Sequence, residues 1–202
     1  MKTTLFTGFL IVCSIALLSF APVLHTDTYT VDTTRSQLNW TGEKVTGTHH
    51  GTIAIKNGTI TQNHGTVKGS VVFDMNSIAV TDLSGDFKNK LEKHLKSEDF
   101  FGVEKHPTSE FVITSLTPLK SEEGSKNNFT VSGTLTIKGI SQPLAFPAYV
   151  FFEGSGMTVS GEAKVDRTKY DIKYKSASFI EDIGDKAISD IFTLKLDVVA
   201  TK

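Results

Sequence analysis

Apolar and polar residues alternate with a period of two over most of the chain. Val67, Gly69, Val71, Phe73 and Met75 alternate with polar or small neighbours apart from Val72. Phe129, Val131, Gly133, Leu135 and Ile137 alternate with Thr130, Ser132, Thr134, Thr136 and Lys138. The same rhythm runs through Met157–Asp166 and Phe192–Ala200, with shorter stretches at Gln37–Glu43, Thr52–Thr61, Glu110–Leu116 and Leu144–Phe152. Successive side chains of a strand point to opposite faces, so each stretch predicts a strand apolar on one face and wet on the other. Asn57-Gly58, Glu123-Gly124 and Gly154-Ser155-Gly156 are turn signals between them. One segment departs from this rhythm. Phe87, Leu91 and Leu95 recur every four residues among Lys88, Lys90, Glu92, Lys93 and Lys96, which predicts a short amphipathic helix over Asp86–Lys96. Ser97–Phe101 can add a further helical turn. The fold class is therefore all-β with one short helical insertion, about eight antiparallel strands in meander order.

Three glycines, Gly69, Gly133 and Gly161, fall on the apolar side of strands, between large apolar residues two positions away. Glycine packs nothing and weakens a strand. Two uses offset that cost: bending the strand so that a sheet closes, or leaving room beside a ligand. A closed eight-stranded barrel is just wide enough for one slender ligand. On this reading one apolar tunnel is lined by Val71 and Phe73, by Phe111, by Val131 and Leu135, and by Phe146, Val159 and Phe192. Gly133 and Gly161 keep its middle open. Trp40, sharing a side of its strand with Leu38 and Gly42, is expected to be shielded within the same wall.

Composition agrees with this picture. The 202 residues are 39% apolar and 21% charged, enough for a core and too apolar for a disordered chain. Phe occurs 14 times against one Trp, and so many rings need a core or a ligand to cover them. Lys+Arg number 21 against 22 Asp+Glu, without the basic excess of a nucleic-acid binder. Ahead of the strands, Lys2, the apolar run Leu5–Phe20 and the small residues Ser19 and Ala21 have the layout of a secretory signal peptide, assigned to residues 1–22. Export follows, with one domain from residue 25 to 202. Two alternatives stay open: Pro22 disfavours cleavage and favours retention as an anchor, and Cys13, the single cysteine, could be acylated.

Catalytic signatures do not emerge. Gly-x-Ser-x-Gly, the P-loop and His-Glu-x-x-His are all missing from the sequence. His49-His50 is the most metal-like pair, but neighbours on a strand diverge; His94 and His106 are scattered. Arg167, Lys169, Lys173 and Lys175 form a basic cluster that, with the helix lysines, could meet an anionic head group or membrane surface, or be a solvated face. In the first case the polar end of a ligand sits at a mouth near Arg167 and Lys169.

The chain from Tyr29 to its C-terminus resembles the YceI family of polyisoprenoid-binding, lipocalin-like bacterial proteins. The resemblance lies in Leu38-Asn39-Trp40-Thr41-Gly42, Lys44-Val45-Thr46-Gly47, His94–Phe101, His106–Phe111, Gly133–Gly139 and Asp166-Arg167-Thr168-Lys169-Tyr170. His106 before Pro107 and Tyr170-Asp171 after Lys169 depart from the family's usual aromatic and Phe-Gly. It implies a lipocalin-like barrel with a long tunnel, export usually to the periplasm, a polyprenyl chain or isoprenoid quinone as ligand, no further cofactor and no catalytic residue. Monomer and homodimer stay open. Three functions compete at this point: a lipid carrier or reservoir, a lipid-modifying enzyme in the same cavity, and a structural or stress-related protein whose barrel is full.

Overall fold

The structure is a computed structural model that describes residues 26–120 and 124–202. The proposed signal segment, with Cys13, lies outside those residues. The elements in chain order are β1 (Thr26–Val31), β2 (Gln37–Lys44), β3 (Gly47–Asn63), β4 (Thr66–Val80), helix α1 (Gly85–Lys96), β5 (Thr108–Pro118), β6 (Phe129–Ile137), β7 (Ile140–Glu153), β8 (Gly156–Asp166) and β9 (Ile188–Thr201). All strand pairs are antiparallel. β2 to β9 pair in sequence, and β2 pairs β9 to close the ring.

The ninth strand shares a place in that ring. β1 pairs residues 59–63 of β3 and residues 200–201 of β9, while β2 pairs residues 47–53 of β3 and residues 188–197 of β9. β1 and β2 are thus collinear halves of one barrel position, separated by residues 32–36. The Asp32 carboxylate holds that loop, accepting from Thr34 Oγ1 at 2.7 Å and from the backbone N–H groups of Thr34 and Arg35. The Thr34 hydroxyl first, then the Arg35 guanidinium, whose Nε donates to Asp32 Oδ2 at 2.6 Å, and then the backbone bonds hold the Asp32 carboxyl well below its ordinary range. Ser36 Oγ bridges the gap by bonding both backbone groups of Val199.

Asn57-Gly58, read from sequence as a turn, lies inside β3 beside a bulge. A Cβ on Gly58 would stand 2.7 Å from the Val31 side chain, so the glycine lets β1 pass close rather than reversing the chain. The reversal comes at His64-Gly65, with φ of 46° and 83°.

The barrel has two unlike ends. The tips 45–46, 138–139 and 167–187 gather at one end with α1 and the segment 97–107. There α1 is tied to β4 by the Val80 N–H, which donates to Glu92 Oε1 at 2.8 Å. Leu91 and Leu95 turn inward, but Phe87, expected on the same face, is 74% exposed. The opposite end carries hairpins 64–65 and 154–155 and is closed by packed side chains. Tyr29, Ile60, Val67 and Met157 are buried there, and the rings of Tyr29 and Phe152 stand 5.8 Å apart.

Candidate functional site: a segmented apolar tunnel

Four cavities follow one another down the barrel axis. The outermost, about 90 Å³, lies between β2, β3 and α1 and touches Glu43, Lys44, His49, Leu91 and Leu95. It shares Trp40, Gly42, Leu95, Phe100 and Ile188 with the next, of about 70 Å³, which adds Ile53, Ile78, Ile172 and Arg167. A third, about 30 Å³, shares Ile53, Phe101 and Phe192 with the second and adds Leu38, Phe73, Ser109 and Leu135. The innermost, about 60 Å³, shares Leu38 and Phe73 with the third and reaches Val71, Phe111, Val131, Phe146 and Val159. Successive cavities thus share walls. Phe101 and Phe192, which meet edge to face at 6.3 Å, stand between the second and third, while Phe111 and Phe146 tilt together at 5.8 Å within the innermost.

Trp40, Val71, Phe73, Phe111, Val131, Leu135, Phe146, Val159 and Phe192, expected from sequence on the tunnel wall, all lie along this series. Trp40 is 9% exposed and donates its indole N–H to the Ala79 carbonyl at 3.3 Å, across Gly51.

Gly133 and Gly161 do not hold the middle open. A Cβ on Gly133 would lie 2.3 Å from the Val112 carbonyl oxygen and 2.6 Å from Phe111 Cζ, because the Phe111 ring fills the space above it. On Gly161 it would meet the Cβ of Ala148 and the carbonyl oxygen of Pro147, both at 3.0 Å. These glycines, like Gly69 against the Thr59 carbonyl oxygen at 2.3 Å, allow strands to approach and the barrel to curl. Gly42 has the open space instead. It lines the two outer cavities, and the nearest atom to its Cβ position is Trp40 Cζ3 at 4.0 Å.

Arg167 and Lys169 are likewise not paired at a mouth. Lys169 is exposed on a short 3-10 turn, Arg167–Tyr170, and its carbonyl accepts from Gln142 Nε2. Arg167 is 3% exposed. Its Nε donates to the Ser189 carbonyl, Nη1 to the carbonyls of Ile172 and Tyr174, and Nη2 to the Ile188 carbonyl, at 2.8–2.9 Å. Nη2 also reaches Asp190 Oδ1 at 3.3 Å. Burial pulls the guanidinium pKa down, and the charges of Asp190 and Asp166 offset part of that. Arg167 therefore clamps the segment 172–190 under the mouth, its polar edges occupied, while it forms part of the wall. Tyr170 beside it is also buried, and burial with the Asp166 charge pushes its phenol up to about 12.

Sequence reasoning missed Ile53, Ile78, Leu95, Phe100, Phe101, Ile172 and Ile188 as wall residues. The signal available for three of them was the helical spacing of Leu95 and the paired rings that follow it.

Polar side chains that line the cavities past the mouth are few and engaged, whereas His94, packed edge to face on Phe100 and Tyr174 behind the wall, keeps a buried Nε2 without a hydrogen-bond partner among the described residues. Ser109 Oγ donates to Met75 Sδ at 3.1 Å, and Ser189 Oγ to the Ile191 carbonyl at 2.8 Å. At the mouth, His49 Nδ1 lies 2.7 Å from Asp82 Oδ2, and the His50 N–H also donates to that carboxylate. Burial raises the Asp82 pKa, but the contacts with His49 and His50 outweigh it and leave the carboxyl below its ordinary range. The site defines a class: a closed antiparallel barrel, lipocalin-like in build, with a segmented apolar tunnel reached from its helical end.

The chain belongs to the YceI family, because the YceI-like domain model matches residues 29–200. It is 29% identical over 119 residues to a UPF0312 protein of Photorhabdus laumondii, covering 55% of this chain and 54% of that one. A UPF0312 protein of Pseudomonas putida is 33% identical over 104 residues, 46% and 50% of the two chains. The chain spans about half the length of the curated relatives it matches. Among solved structures, BcnA of Burkholderia cenocepacia superposes with a TM-score of 0.64 at 19% identity, over 85% of this chain and 99% of that one. A polyisoprenoid binding domain from Saccharophagus degradans gives 0.59 at 14% identity, over 86% and 97%. These two likenesses are of fold.

Proposed function

We propose that the barrel binds one long amphiphilic lipid, of the polyisoprenoid or isoprenoid quinone class, and sequesters or carries it without chemical change. The observation that carries this reading is the run of four cavities with shared walls. A chain of repeating apolar units fits a segmented bore, and its burial is worth about 25 cal/mol per Å² without any hydrogen bond along its length. The polar end then lies at the mouth beside Glu43, Lys44 and His49. The solved polyisoprenoid binding domain of the same fold supports the ligand class. Engagement of Arg167, Ser109 and Ser189 in structural hydrogen bonds favours holding over catalysis, and the reading needs no other cofactor.

Gly42→Leu tests it. The new side chain enters open space between the two outer cavities, in a strand where glycine packs nothing. Mass spectrometry of organic extracts should find an isoprenoid lipid with the parent protein and little or none with the variant, while the melting temperature stays equal or rises. Native protein that never carries lipid would sink the proposal and favour a filled barrel.

Export belongs to the same proposal, since residues 1–22 read as a signal peptide. N-terminal sequencing of protein from its own cell should begin after Ala21 or within a few residues. A product starting at Met1 in the cytoplasm would overturn it.

A further inference from the structure

Phe87, Val45 and Phe179 are the three most exposed large hydrophobic residues among those described, at 74%, 64% and 54%. They come from three separate segments at the helical end of the barrel: the β2–β3 tip, the start of α1 and the connection from β8 to β9. Phe87 stands one turn before Leu91, which lines the outermost cavity, and Val45 follows Lys44, which lines it too. The Val45 N–H donates to the Ala187 carbonyl at 3.3 Å, joining the β2–β3 tip to the segment that carries Phe179. That segment returns to the wall where the Ile188 N–H donates to the Lys175 carbonyl. Ile180 extends the patch at 44%.

A lysine accompanies each tip. Lys44 precedes Val45, Lys88 follows Phe87, and Lys173 Nζ sits 5.2 Å from the Phe179 ring centroid. Acidic groups share the region: Glu43, Asp86, Glu181 and Asp182, with Glu92 3.7 Å from Lys88 and Asp171 2.8 Å from Lys173. Apolar tips set among mixed charges are the surface chemistry of a protein that lies on a bilayer, the tips entering the acyl boundary and the charged groups staying among the head groups. We infer that the helical end of the barrel docks on a lipid bilayer through Val45, Phe87 and Phe179, so that the mouth opens onto the acyl region. The tunnel supplies the purpose and rests on the preceding reading; the contact itself is independent of it.

Co-sedimentation with vesicles of phosphatidylglycerol and phosphatidylethanolamine, against vesicles of phosphatidylcholine, measures the contact. The parent should sediment with both kinds of vesicle, because the contact is made by apolar tips and the charges around them are balanced. V45S/F87S/F179S should bind roughly tenfold more weakly for each tip removed, with an unchanged melting temperature because all three side chains are solvent-exposed. Parent protein that sediments with neither vesicle overturns the inference. So does a triple variant that binds like the parent. A parent dimer that the triple variant converts to monomer assigns the patch to self-association and overturns it too. Lipid extracted from the same samples reads the tunnel separately. Missing vesicle binding with retained lipid overturns docking alone, and missing lipid with retained vesicle binding overturns the tunnel reading alone.

Discussion

Arg167→Met is expected to destabilise the protein by about 3–5 kcal/mol, the range found when one partner of a buried charged network is removed. Methionine fills much of the volume but donates nothing. The carbonyls of Ile172, Tyr174, Ile188 and Ser189 each lose a donor in a buried setting, and Asp190 loses its cation. Asp190 keeps Ser178 Oγ at 2.6 Å, so its end of the network is partly held. The segment 172–188, free of its central clamp, should loosen first and expose Phe100 and Ile172 at the second cavity. Arg167→Lys should recover little, because an ammonium cannot span acceptors on both sides of the segment as a planar fork does. Urea unfolding followed by Trp40 fluorescence measures the loss, and a melting temperature lower by on the order of 10 °C should accompany it. A cost below about 1 kcal/mol would show that the clamp is dispensable.

Gly133→Leu should be comparably damaging, at or beyond the upper end of the usual cost of overpacking, about 3 kcal/mol. Its Cβ alone would meet a backbone oxygen of the neighbouring strand at 2.3 Å. Val112 cannot yield without parting β5 from β6, and the Phe111 ring above is held against Phe146. Gly42→Leu adds the same atoms at an open position and should leave stability intact. A thermal melt of the two variants side by side separates a glycine that closes the barrel from one that leaves its bore open. Equal melting temperatures would contradict that division.

Much of the barrel was legible because each strand has one wet and one buried face, so the eight alternating stretches stand out by period alone. β1 was not, since a six-residue strand offers just two inward apolar positions, Tyr29 and Val31. The tunnel wall was legible strand by strand wherever it is built from alternating positions. Its outer third was not, because residues 42–44, 91–100 and 188 converge through connections whose course no local pattern fixes. The glycines show the opposite failure. A sequence reveals where a side chain is missing, but what fills the vacancy is decided by side chains of the neighbouring strand, and at Gly133 it is the ring of Phe111, diagonal to it across the β5–β6 pair. Arg167 was misplaced for a similar reason. It sits among lysines in the chain, and nothing local tells that it alone folds back under a loop to meet four carbonyls.

Thr26 enters the barrel opposite Asn63, and Thr201 leaves it opposite Gly156, both at the closed end, where Lys202 Nζ lies 2.8 Å from Asp27. The molecule therefore has a polarity: both points of covalent attachment lie at one pole and the opening at the other. A tether joined ahead of Thr26 would hold the opening a barrel's length from whatever it is fixed to.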